Sequence, residues 1–566
     1  MHHGALLEAG VLKKTKIHNV SRDAYRAIKR FGIGWKIEQD VFNYVCEDGD
    51  VISIHYFRPR NLLEYVIKKE PGLLFGSGGV ESLPAFWHAY NMYHSGHRIF
   101  SDHHCFDRII PLAIHGDEGR GKRRSSTTVV FCEAVLGVKG KVNKCSCHPT
   151  HLDTYQQPDD ELHRLAKALQ CNLKGHSFLQ HFPLFVIPGI YAKQYKDITL
   201  SMLELIADDL KDLYENGMDI GGEKFHVAIV ASKGDLKLHS KICRFTRGYE
   251  RKGRIVDVPC CHICLAGAPG LPAEDVSSTP SWTDTCYRER PWSDVAGQQP
   301  ALNAVPFDPQ KPEFMYKHDI LHTIRLGVFR DFVASTIFLY LRWNYFGAQG
   351  TVGDKLERAH GHFKLWLSAT RKTAALRSFT PQLFKYTNKK SYPWANVKGS
   401  DCALLVQWIT TLTVGLINDG PPASQLPIMQ TILATSRVGT SFYQHICQHT
   451  MFQAPNCASV MYEFGQSHIN GYILLAKWCF ENQHCLYAIK PKMHFMKHML
   501  LDVKDQLDRH DPLVCSPLLW DCCQNEDAIG RLCRLSRRVD GRVISTRVLT
   551  NYLIKVGLLS HREFHR

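Results

Sequence analysis

Residues 225–235 read FHVAIVASKGD. The run is β-branched and small, shows no helical spacing, and stops at Lys233-Gly234-Asp235. That is the signature of a buried strand over 225–232 closed by an acidic turn. Residues 108–117, RIIPLAIHGD, repeat the pattern and end at Gly116-Asp117. Between them lie a basic turn, EGRGKRR, a second strand over 126–137, and a third over 182–191. A helix over 198–214 carries Leu203, Ile206, Leu210 and Leu213 on one face. Residues 139–177 look like a polar insertion, and 236–245 reads as the next helix. Acidic residues therefore close the first and fourth strands. In an open α/β sheet, sites gather at the carboxyl ends of strands, so Asp117 and Asp235 are candidates for one site.

The flanks differ in character. Residues 1–104 read as a mixed α/β region, with a helix over 21–31 capped by Ser21, a strand over 51–57 and a helix over 59–69. The core's first part spans 105–247. Residues 248–317 are rich in Cys, Pro, Trp and Ser, which predicts irregular structure held by a metal clip. Residues 318–489 turn helical and apolar. Residues 490–566 carry PKMHFMKH, then Glu526-Asp527, then an Arg-rich helix.

Composition narrows the class. The chain has 566 residues, with 44% hydrophobic and 22% charged, which excludes a wholly disordered or collagen-like protein. At about 150 residues per domain it has room for three to four domain-sized units. A net charge of +15 favours polyanionic partners. The most apolar stretch, 403–417, falls short of the ~20 residues of a spanning helix. The first residues lack a secretory h-region. The expectation is a soluble, intracellular chain with no membrane partner. Its 20 cysteines and 31 histidines are then free thiols and metal ligands rather than a disulfide framework. No Walker A motif, strand-borne GxGxxG or GxSxG is present.

Four constellations carry chemistry. Asp117, Asp235 and Glu526 lie on separate segments, and three such carboxylates suffice for a two-metal phosphoryl-transfer site. Ordinary solvated acids are the plainer reading, and Glu118 and Asp527 compete for the same roles. Cys261-His262-Ile263-Cys264, after Cys260, offers half of a tetrahedral zinc site. His318-Asp319-Ile320-Leu321-His322 lies downstream, and Cys145, Cys147 and His148 form a weaker cluster. His494 and His498 sit one helical turn apart, a spacing that can bind metal but that also suits structural histidines. Without the Glu of HExxH they support a zinc hydrolase only weakly. Finally, Arg531, Arg534 and Arg538 recur at helical spacing beside Ile529, Leu532 and Leu535, and Lys122, Arg123 and Arg124 follow Asp117. Such rows can hold phosphates or face solvent.

Together these segments resemble the CACTA-type (En/Spm, Plavaka-like) cut-and-paste DNA transposases. IPLAIHGDEG resembles the segment of the first catalytic Asp. VASKGDLKLHSKICRF followed by CCHIC resembles the second, with its CxxC. YKHDILHTIRLGVFRDF resembles the D-x-x-H segment, and KPKMHFMKHM with WDCCQNEDAIGRLCRLSRR resembles the block holding the catalytic Glu. The likeness spans roughly residues 105–545. It implies an RNase H-like mixed sheet flanked by helices and interrupted by a long helical insertion. It also implies a nuclear enzyme that uses Mg²⁺ or Mn²⁺ on Asp117, Asp235 and Glu526 to cleave transposon ends and join them to target DNA, acting as a homo-oligomer. On this likeness Cys261, Cys264 and His322 hold a structural Zn²⁺, with Asp319 as fourth ligand or orienting His322. No N-terminal DNA-binding domain is recognisable. The alternative is therefore a catalytically inactive, transposase-derived DNA- or chromatin-binding protein that keeps the zinc site.

Overall fold

The computed structural model describes residues 34–121, 125–137, 169–173, 175–249, 258–295, 297–448, 450–537 and 539–564. The expected helix over 21–31 and the Cys145–Cys147–His148 cluster lie outside them. Seven strands form one mixed sheet in the order β1-β2-β5-β4-β3-β7-β6. They are β1 (Asp40–Val45), β2 (Val51–Tyr56), β3 (Ile109–Arg120), β4 (Ser126–Ala134), β5 (His181–Pro188), β6 (Met218–Ile220) and β7 (Glu223–Lys233). All neighbours are antiparallel except β3 and β7, which run parallel.

The central strands are buried on both faces, which is why β5 reads as an unbroken apolar run rather than an alternating one. Helices cover both faces. Helix α1 (Pro59–Lys69) and helix α2 (Ser82–Tyr93) come from the N-terminal part. Helix α3 (Ile198–Glu215) buries Met202, Leu203, Ile206, Leu210 and Leu213 against β5 and β7, as its periodicity requires. Helix α4 (Leu236–Ile242) follows β7 directly.

Two boundaries differ from the sequence reading. β1 and β2 do not form a separate N-terminal unit, because β2 pairs with β5 through Tyr56 and Phe185 and so extends the core sheet. β3 does not stop at Asp117. The basic segment expected as a turn continues the strand to Arg120, which pairs with Ser126 at the hairpin end of β4. Turn composition was overridden here by cross-strand pairing.

From residue 317 the chain leaves the sheet. A π-helical segment, Leu321–Phe329, leads into α5 (Arg330–Arg342), α6 (Val352–Ala369), α7 (Gly399–Asn418), α8 (Leu426–Gln448), α9 (Pro455–Glu481) and α10 (Pro491–Asp508). These enclose their own core around Phe332, Ile337, Trp408, Tyr472, Tyr487 and Met496. Helix α7, with 20 residues, is long and apolar enough to cross a bilayer by length and composition. In the fold it buries Leu405, Val406, Trp408 and Ile409 within this layer. The chain then returns to the sheet through α11 (Cys523–Ser536), which packs on β3 and β4, and α12 (Ile544–Phe564), which packs on β5 and β2.

Candidate active site and metal centre

Parallel pairing sets the first site. His115 on β3 is in register with Lys233 on β7. Asp117 and Asp235 each lie two residues beyond that pair, so both carboxylates emerge at the same end of adjacent strands. Helix α11 brings Glu526 to the same place. It can come this close because Gly119 has no side chain: a Cβ there would meet Cys533 Sγ and would lie 2.9 Å from Ile529 Cγ2.

The carboxyls of Asp117 and Glu526 face each other closely enough for each to shift the other's ionisation. Burial, then the charges of Glu526 and Asp235, hold the Asp117 carboxyl well above the usual carboxylate range. Burial raises Glu526 as well, against the pull of His322. Glu526 Oε1 is buried with no hydrogen-bond partner among the described residues, and lies 3.8 Å from His322 Nε2. The neighbouring acids point elsewhere. Glu118 pairs with Lys241 at 2.8 Å. Asp527 accepts from Ser177 Oγ at 2.7 Å and from Arg531 Nε at 2.5 Å. Of Glu526 and Asp527, it is therefore Glu526 whose carboxyl lies by Asp117.

Asp319 and His322 are not beside the cysteines. His322 Nδ1 lies 3.1 Å from Asp319 Oδ2, and its Nε2 faces Glu526. Burial alone would lower the imidazole, but the charge and hydrogen bond of Asp319 outweigh it and push His322 up to about 9. The acidic site is therefore bordered by an imidazolium fixed by its own carboxylate. This corrects the sequence assignment of both residues as zinc ligands.

Beside the carboxylates lies a buried polar platform that motif reasoning missed. Lys233 Nζ donates to Glu133 Oε1 at 2.6 Å, His181 Nε2 lies 3.2 Å from Glu133 Oε2, and Asn525 Nδ2 donates to that same oxygen. Burial raises the Glu133 carboxyl, but Lys233 and His181 more than reverse it and hold it well below its ordinary range. The platform ties β4, β5, β7 and α11 together, with Lys233 two residues before Asp235 and Asn525 next to Glu526 in the chain. The charges stand alone in apolar runs, at Glu133 in STTVVFCEA and Lys233 in FHVAIVASK. That isolation was the signal available in the sequence.

The second site is a buried Cys/His cluster. Cys261, Cys264, His494 and His498 place one ligand atom each within 4.8 Å of the others. Cys264 Sγ lies 3.4 Å from His494 Nε2 and 3.3 Å from His498 Nε2, and Cys261 Sγ lies 3.5 Å from His498 Nε2. With Zn–S near 2.3 Å and Zn–N near 2.05 Å, a tetrahedral angle separates sulfur from nitrogen by about 3.6 Å. The group could therefore hold a metal such as zinc. Burial opposes ionisation of both thiols. The neighbouring Cys264 thiol and the nearby His498 bring Cys261 down against that burial. Two thiolates and two imidazoles make a complete tetrahedral set, the closed composition of structural sites. The i, i+4 histidines on α10 were visible in the sequence, and packing recruits them in place of the D-x-x-H segment.

Of the basic residues, Arg531 is engaged by Asp527 and by His176, and Arg534 is exposed on α11. Lys122, Arg123, Arg124 and Arg538 lie outside the described residues. No protein-family model matches the chain, and comparison with curated proteins finds no match.

Proposed function

We propose that the chain is a transposase-like DNA strand-cleaving and strand-transferring protein with an RNase H-like core. The observation that carries the reading is that Asp117, Asp235 and Glu526, three carboxylates from segments far apart in sequence, lie near enough to one another at one end of the parallel pair β3–β7 for the charges of Glu526 and Asp235 to raise the Asp117 carboxyl and for that of Asp235 to raise Glu526. The order β5-β4-β3-β7, three antiparallel strands and then a parallel one, supports the RNase H-like assignment.

The donor set fits hard divalent cations. It is all carboxylate oxygen, it is partly buried, and it includes Glu526 Oε1, which has no hydrogen-bond partner among the described residues. Asp117, Asp235 and Glu526 would hold Mg²⁺ or Mn²⁺, which when bound supplies an activated hydroxyl and stabilises the leaving oxygen. The protein's own residues do the rest. His322, charged and oriented by Asp319, faces the site and can hold a phosphate oxygen. Arg534 extends positive charge along α11, where a DNA backbone would run. The Glu133–Lys233 platform fixes the strand and helix that present the acids. Acting on chromosomal DNA, the protein would work in the nucleus.

The test is nicking of plasmid DNA with Mg²⁺ or Mn²⁺ by the full chain, with Asp117→Asn, Asp235→Asn and Glu526→Gln in parallel. Activity lost in all three supports the reading, and nicking that survives Asp235→Asn with Glu526→Gln refutes it. Salt-sensitive DNA binding without nicking selects the non-catalytic DNA-binding alternative instead.

A further inference from the structure

Cys261 belongs to a second group as well. Its thiol and the imidazoles of His262 and His318 also place one ligand atom each within 4.8 Å of one another. All three are buried, at 0%, 3% and 6% exposure. His262 Nε2 is taken by the Tyr316 carbonyl at 2.8 Å, which leaves its other ring nitrogen with a free lone pair. A metal-bound histidine typically gives its second nitrogen to a carbonyl in this way.

His318 is the more telling residue. Its ring is wedged between Phe495, with centroids 4.6 Å apart, and His262, at 4.7 Å. Neither of its nitrogens makes a well-formed hydrogen bond among the described residues, and the polar group they face is the Cys261 thiol. A buried polar atom left in that state costs about 1–3 kcal/mol, which an ion would remove. His318 also lines a cavity of about 770 Å³ shared with Tyr93, Lys317 and Trp520. Water can therefore reach its side of the cluster, whereas the Cys2His2 group already has four protein ligands.

We propose that this region binds two thiophilic divalent ions: one in the Cys261–Cys264–His494–His498 group, and a second held by Cys261, His262 and His318 with a cavity water as fourth ligand. Cys261 is the bridge. It loses its proton to bind the first ion, and its thiolate sulfur uses a further lone pair for the second. A sulfur shared between two ions is established ligand chemistry for zinc and cobalt. Three protein ligands plus one exchangeable position would make the second ion the open one of the pair. The proposal rests on the Cys2His2 group holding metal.

The test is metal stoichiometry of the full chain after Zn²⁺ loading and gel filtration, for the wild type and for His318→Ala. The proposal expects two zinc ions per wild-type chain and one in the variant. One ion in the wild type overturns it while leaving the Cys2His2 site standing. Two ions in both proteins overturn it too, because the second then sits elsewhere. No ion at all removes both sites. Stepwise Co²⁺ loading of the wild type needs no variant. The second equivalent should weaken the cobalt electron-paramagnetic signal through coupling across the shared thiolate. A signal that doubles refutes the bridge.

Discussion

Removing the metal from the Cys2His2 cluster should loosen the union of sheet and helical layer by an amount the structure allows to be worked out. The cluster joins the Cys-rich segment after α4 to α10, and its contacts span 230 to 237 residues of chain. Treated as a cross-link, closing a loop of that length takes about 5 kcal/mol of chain entropy from the unfolded state. That is comparable to the ~5–15 kcal/mol of a typical domain's total stability, so the loss should be large. The built-in reporter is Trp282, whose ring centroid lies 4.2 Å from His494 and 4.6 Å from His498. Urea unfolding followed by tryptophan fluorescence, with and without chelator, should show a loss on the order of 5 kcal/mol. His498→Ala should reproduce it and lose bound zinc. His322→Ala should keep its zinc, because His322 faces Glu526. Equal urea midpoints with and without metal would sink the cross-link argument. Zinc lost from His322→Ala but retained by His498→Ala would reverse the ligand assignment.

Other expectations are narrower. Lys233→Met leaves Glu133 buried without its main counter-charge and should cost about 3–5 kcal/mol, whereas Lys233→Met with Glu133→Leu should recover most of that loss in thermal or urea melts. The same pair sets an acid limit. Glu133 is held below its ordinary value of 4.5 when folded, so its contribution is full above that value and fades as pH falls toward the folded value. The double variant's stability should be flatter than the wild type's in that acid window, and parallel curves would contradict this. Gly119→Val should push α11 off β3 at a cost of about 1–3 kcal/mol and reduce DNA nicking with it, as melting and nicking assays on one preparation would reveal. Arg534→Glu should weaken DNA binding across sequences and shrink its salt dependence by about one unit of slope, and an unchanged slope would place the backbone elsewhere.

The strands β2, β4, β5 and β7, the helices α1 and α3, and the helical stretch after residue 318 were legible because each is a local property. A continuous apolar run or a 3.6-residue stripe has one cheap way to be buried. Asp117 and Asp235 were legible for a related reason, since each follows an apolar strand at a turn-like break. The length of β3 was not, because its last residues are held by β4 and their own composition favours a turn.

The sequence by itself also named the ingredients of both sites, and it could not apportion them. Glu526 and Asp527 are adjacent, and consecutive helix positions point about 100° apart. Only the packing of α11 on Gly119 decides which faces Asp117. Two histidine sets, His318 with His322 and His494 with His498, offered similar spacing to Cys261 and Cys264. Ligand spacing constrains residues within one turn of helix, but it says nothing about which helix a loop 230 residues away will meet. That choice belongs to the tertiary structure, which buries α10 against the cysteines and turns His322 toward the acids.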